Sequence, residues 1–233
     1  MSDDVPFRLP PVDPSAAADV PSTSLSPELL AGLLADGDDE LAAWTLRHAM
    51  DESSRAEVYD GLLREAMYLV GDRWVTGRWS IAEEHLASRT LLRTLERLRP
   101  DLGPERRIGP LAVLAGVAGE HHMIGLACLE QLLAEDGWSV ANLGADLPAA
   151  DLGVFVARND VALVALSAMD GARVGALADA VLAVRDAAGD RPIGVVVGGG
   201  IASVPDLATT VEADGVAHSL AEAVELARVH RPG

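Results

Sequence analysis

The chain is 233 residues long, enough for one large domain or two smaller ones. Apolar residues make up 49% of it and aromatics only 3%, so Leu, Val and Ala must fill the interior. A formal net charge of -18 repels phosphate backbones and excludes direct nucleic-acid binding as an expectation, and no Lys/Arg cluster or helix-turn-helix pattern offsets it. A single cysteine, Cys128, excludes a disulfide framework and fits a reducing cytoplasm. There is no signal-peptide pattern and no apolar run long enough to span a membrane, so a cytoplasmic protein is expected.

Residues 1–25 are rich in Pro, Ser, Ala and Asp and are expected to form a disordered leader. Ser26, Pro27 and Glu28 then signal a helix start, and Leu29, Leu30, Leu33 and Leu34 repeat at helical spacing. A second helix is predicted from about Asp39 to Met50. Ser54 with Glu57 makes a capping box, after which Val58, Leu62, Ala66, Leu69 and Val70 share one helical face. Residues Gly71 to Ser80 break the pattern. Ser80 with Glu83 makes a second capping box, opening a helix to about Leu98. Residues 26–99 therefore predict a four-helix bundle.

Pro100 to Pro110, with three prolines, reads as a linker, and beyond it the periodicity changes. Buried-strand runs at Leu111 to Ala118, Trp138 to Leu143, Val161 to Leu166 and Ile193 to Val197 alternate with amphipathic helices. A short fifth strand near Asp214 to Ala217 and a last helix to about Val229 complete the pattern. Such alternation predicts a doubly wound α/β domain over 111–233, with a five-stranded parallel sheet of flavodoxin-like or Rossmann-like type.

Ligands of doubly wound sheets sit where loops leave the carboxyl ends of the strands. Three loops qualify: Gly119 to Gly125 (GEHHMIG), Ser167 to Gly171 (SAMDG) and Gly198 to Gly200. The first lacks G-x-G-x-x-G, and no Walker lysine occurs, which weakens a nucleotide reading. Taken singly, adjacent histidines in a loop and a glycine run are ordinary features. Together, Glu120-x-His122-x-x-Gly125, Ser167 and the Gly198–Gly200 run resemble the cobalamin-binding domain family over roughly residues 109 to 230.

That resemblance implies a cobalamin cofactor whose cobalt is ligated from below by His122. A neutral imidazole is a good donor to such a metal, and a carboxylate on its other nitrogen fixes the tautomer and raises its basicity. Glu120 is implied in that role. Gly125, Gly198, Gly199 and Gly200 are implied to leave room for the displaced nucleotide tail, and Ser167 to hydrogen-bond it. His121 is expected to be a bystander, and Met169 departs from the Leu or Thr common in relatives.

In the helical half, Trp74 is followed at W-x9-E-H spacing by Glu84 and His85. This resembles the cap bundle of cobalamin photoreceptors of the CarH/LitR and AerR type, in which these residues lie near the upper axial ligand. The implied protein is a light sensor, adenosylcobalamin rather than methylcobalamin being the expected form, that regulates a partner such as a transcription regulator when light removes the upper ligand. It is not expected to be an enzyme. No winged helix of the CarH type is expected in the short leader, so the stand-alone AerR arrangement is the expected resemblance. Val75 stands where the CarH type carries a second cobalt-binding histidine, leaving His85 as the nearest substitute. The alternatives are a corrinoid carrier protein of a methyltransferase system, built on the same architecture, and an α/β binding domain that keeps only the scaffold.

Overall fold

The computed structural model describes residues 25–100 and 109–232. The leader expected at 1–25 and the linker expected at 100–110 fall almost wholly outside the described residues. The first half is helical: α1 (Pro27–Ala35), α2 (Asp39–Ala49), α3 (Arg55–Val58), α4 (Arg64–Val75) and α5 (Ile81–Arg97). Four of these five helices open on a side chain that satisfies a first-turn N–H, and α4 continues from the turn before it. Ser26 accepts from the amide of Leu29 and Asp38 from that of Leu41. Both capping boxes form, with Glu57 and Glu83 reaching back to the amides of Ser54 and Ser80. A π-helical turn, Tyr59–Leu63, joins α3 to α4, so residues 55–75 form one continuous rod.

The helix does not break at Gly71. A mid-helix glycine costs only about 1 kcal/mol, and the buried Val70 beside it repays that through packing. The stop comes at Gly77, which adopts φ +70 and donates its amide to Trp74 O at 2.9 Å. Trp74 therefore stands in the last turn of α4 rather than in the break.

The second half is a five-stranded, wholly parallel sheet in the order β2-β1-β3-β4-β5. Its strands are β1 (Leu111–Gly116), β2 (Ser139–Asn142), β3 (Val161–Ser167), β4 (Gly194–Gly198) and β5 (Gly215–Ala217). They alternate with α6 (Ile124–Glu135), α7 (Ala149–Arg158), α8 (Val174–Ala188), α9 (Leu207–Val211) and α10 (Leu220–Val229). This is the flavodoxin-like order, with the topological switch between β1 and β3. The fold expected from the sequence is the fold observed.

Side-chain alternation divides the sheet's core in two. Val113, Ala115, Val164, Leu166, Val195 and Val197 pack with Leu152 and Val156 of α7 and Leu177 and Val181 of α8. On the opposite face Ala112, Leu114, Leu163, Ala165 and Val196 meet α6 and α10. That apolar cluster continues unbroken into the helical half, taking in Leu30, Leu46, Tyr59, Leu91 and Leu95. The helices have no separate core. They form an outer layer on one face of the sheet domain.

A polar seam runs along this contact. Arg55 donates to Glu135 of α6 at 2.7 Å, and to Gln131, Tyr59 and the carbonyl of Leu98, each at 3.0 Å. Gln131, buried, also accepts from Tyr59 at 2.8 Å and donates to Leu95 O at 2.7 Å. From the π turn, Asp60 accepts the amides of Leu220 and Ala221 at 2.9 and 3.0 Å, supplementing the Ser219 cap of α10. Arg55→Met leaves Gln131 and the Leu98 carbonyl short of a donor. It is expected to lower stability by about 2 kcal/mol, read as a lower urea midpoint with an unchanged slope.

Candidate functional site

The loops after β1 and β3 leave the sheet on either side of the switch point, and one buried carboxylate ties them together. Glu120 is 3% exposed. Its Oε1 accepts from the backbone amide of His122 at 2.8 Å and lies 2.5 Å from His122 Nδ1, while its Oε2 accepts from the amide of Met169 at 2.6 Å. Burial pushes the Glu120 carboxyl up, but the His122 amide and ring and the Met169 amide outweigh it and hold the group below the usual carboxylate range. An ionised Glu120 against Nδ1 selects the tautomer with the proton on Nδ1. Nε2 is left with its lone pair, no partner among the described residues, and a side chain that is 66% exposed.

The loop after β2 supports this arrangement, and sequence reading passed over it. Asp146 takes φ 54, a left-handed conformation uncommon outside glycine. Its side chain accepts the amide of Gly119 at 2.6 Å and its own amide donates to Glu120 O at 2.8 Å. Gly144, at φ +82, accepts from the amide of Gly116 at 2.8 Å. The signal available was a Gly-x-Asp turn directly after a strand. Met123 and Met169 are both exposed on this rim beside His122. His121 is exposed and makes no hydrogen bond among the described residues.

The predicted glycines separate into two groups. A Cβ on Gly199 would lie 2.4 Å from Ala168 O, and one on Gly200 would lie 2.3 Å from Met169 O. These two glycines let the loop after β4 pack against the loop after β3, so the room they provide is taken by the protein itself. Gly125, in the first turn of α6, has nothing within 4 Å of its Cβ position. Gly116, Ser167 and Gly198 stand in register on three neighbouring strands. By alternation from Leu114, Ala165 and Val196 they face the α6 and α10 side. This leaves a row of small residues along the sheet's carboxyl edge, with the Ser167 hydroxyl unpartnered among the described residues.

In the helical layer, Trp74 is 46% exposed and Val75 77%. Glu84 and His85 pair with each other, Nδ1 to Oε2, at 2.6 Å, and Glu84 also accepts from Ser88. The other tryptophan of this segment, Trp79, is covered by the Arg73 guanidinium, 4.7 Å from its ring. Trp74 therefore remains open to a ligand or partner, along with exposed Tyr68, Ile81 and Leu86.

Residues 110–227 match the family model of the B12 binding domain. The chain belongs to this family. A second B12 binding domain model matches residues 28–99, the helical layer. The chain is 44% identical over 75 residues to the HTH-type transcriptional repressor CarA of Myxococcus xanthus, a match covering 32% of this chain and 26% of the repressor. It thus spans about a quarter of that relative. The fold is shared with the monomethylamine corrinoid protein of Methanosarcina barkeri, at a TM-score of 0.70 and 18% identity, covering 85% of this chain and 95% of that one. A cobalamin-binding protein from Desulfitobacterium hafniense DCB-2 gives 0.48 at 22% identity, covering 89% of this chain and 100% of that one.

The residues present fit the family's cofactor. Among the described residues no group of three or more His, Cys, Asp or Glu side chains could hold a bare metal ion. One imidazole, oriented and with a free lone pair, suits a metal that arrives in its own ring and needs a single axial donor. The two kinds of glycine should respond oppositely to a methyl group in the cofactor-free chain. Gly200→Ala is expected to cost about 1–3 kcal/mol through overpacking. Gly125→Ala should be neutral or add up to about 1 kcal/mol through helix propensity. Thermal unfolding of the two variants checks both signs.

Proposed function

We propose that this B12 binding domain protein is a cobalamin-based light sensor that acts on a protein partner such as a transcription regulator. The observation that carries the reading is the His122 imidazole, oriented by the buried Glu120 at the switch point with Nε2 free. In this reading His122 is the lower ligand of cobalt and Glu120 its positioning residue. The row Gly116–Ser167–Gly198 and the open flank of Gly125 receive the nucleotide tail, with Ser167 donating to it. Gly199 contributes by holding the loop after β4 in place. Residues 111–233 would form the cofactor-binding domain and residues 26–99 a cap over its upper face, where Trp74, Glu84 and His85 meet the upper ligand. A bound cobalamin supplies a cobalt–carbon bond that is weak and absorbs visible light.

The sensor role is supported by the 44% identity to a transcriptional repressor and by Trp74, which the helical layer leaves exposed. Exposed His85 and its half-buried partner Glu84 lie in the first turns of α5, outside the apolar core, and can change partners without disturbing it. A layer that shares its core with the sheet face can pass such a change to the rest of the molecule, as a two-state switch requires. The carrier reading has its own support in the fold shared with a corrinoid protein. Adenosylcobalamin is the form we assign, and the acidic surface suits a partner with a basic patch.

His122→Ala is expected to weaken cobalamin retention and change the visible spectrum, and an unchanged spectrum would rule out His122 ligation. Glu120→Gln should reduce affinity roughly tenfold or more while keeping the ligated spectrum, measured by absorbance titration. Green light should change the spectrum of the adenosylcobalamin complex irreversibly and alter partner affinity or oligomeric state. A photostable complex that accepts methyl groups from a methyltransferase would establish the carrier instead.

A further inference from the structure

Four arginines make no hydrogen bond, ion pair or ring contact among the described residues: Arg64, Arg89, Arg158 and Arg173. The first three are exposed, and Arg173 alone is half-buried. The chain has twice as many acids as bases, 36 against 18, and most of its other arginines are tied to a carboxylate or a carbonyl. A guanidinium withdrawn from water with no acceptor is unfavourable unless a ligand completes it.

The position of Arg173 is fixed by its backbone. It closes the 3-10 turn Gly171–Arg173, in which Asp170 caps the amide of Ala172 at 2.9 Å and the Arg173 amide donates to Asp170 O at 3.1 Å. It also opens α8, a helix of 15 residues. The guanidinium lies across the switch point against Gly119. A Cβ at Gly119 would come 2.5 Å from an Arg173 Nη and 2.9 Å from its Cζ. Gly119 therefore gives the guanidinium its seat, and it directly precedes Glu120, which holds His122. Five N–H donors are thus gathered beside the loop that carries the candidate metal ligand.

We propose that Arg173 is a corrinoid-binding residue that donates to the carboxamide arms at the edge of the corrin ring. This rests on the cobalamin reading above. A guanidinium fork suits oxygen acceptors, which the cofactor offers both as ring-edge carboxamides and as the phosphate of its nucleotide tail. Placement decides between them. The small-residue row assigned to the tail faces α6 and α10, whereas Arg173 leads into α8 on the opposite face of the sheet. The ring edge is then the acceptor within its reach.

The test titrates the full chain with hydroxocobalamin and with cobinamide, which lacks the nucleotide tail, following visible absorbance. Arg173→Gln is expected to weaken both about tenfold or more, with His122 ligation still visible in the spectrum and the melting temperature unchanged. Arg173→Lys should recover part of the loss. Equal affinities of Arg173→Gln and the unmodified chain would overturn the assignment while leaving the cobalamin reading intact. A loss confined to hydroxocobalamin would move the contact to the phosphate and overturn it equally. Should the unmodified chain bind neither corrinoid, the cobalamin reading itself fails.

Discussion

The candidate site depends on one carboxylate. Glu120 is buried, ionised and bonded to the loops on both sides of the switch point, so it fixes their spacing and the His122 ring together. A parallel sheet of this order leaves a crevice there because the chain departs in opposite directions from β1 and β3. Past the end of β1 the Val117 amide still donates to Ser167 O at 3.2 Å, and further out the two loops diverge. The side chain of Glu120 spans the crevice, and by occupying Nδ1 it also determines which nitrogen of His122 can bind a metal.

The rest of the rim is built to leave that arrangement undisturbed. Asp146 accepts a left-handed conformation to bond Gly119, and Gly199 and Gly200 bring the loop after β4 against the carbonyls of Ala168 and Met169. Four loops, those after β1, β2, β3 and β4, are thereby packed on one another, which holds the imidazole in place. Such preorganisation moves the ordering cost from binding to folding.

The helical layer is fastened to the sheet domain at one place and left open at another. Arg55, Tyr59 and Asp60, all within one stretch of the rod, bond to α6 and α10, and the apolar cluster beneath them is continuous. The far end, where α4 stops and α5 starts, exposes Trp74, Val75 and Ile81. Five residues apart on the rod, Arg55 and Asp60 lie on different sides of it and so address different helices of the sheet domain.

The amino-acid sequence by itself determined the element order, the capping boxes at Ser54 and Ser80, the strand runs and the loop carrying Glu120 and His122, because these rest on local spacing and side-chain chemistry. Tertiary structure alone decided the rest. Packing carried α4 through Gly71 and put Trp74 in its last turn, an override that propensity cannot anticipate. It divided the glycines into Gly199 and Gly200, which seat a neighbouring loop, and Gly125, which faces open space, since that difference depends on atoms distant in the chain. It also brought Arg173 to Gly119 across 54 residues of sequence, a contact fixed only when β1 and β3 become neighbours in the sheet.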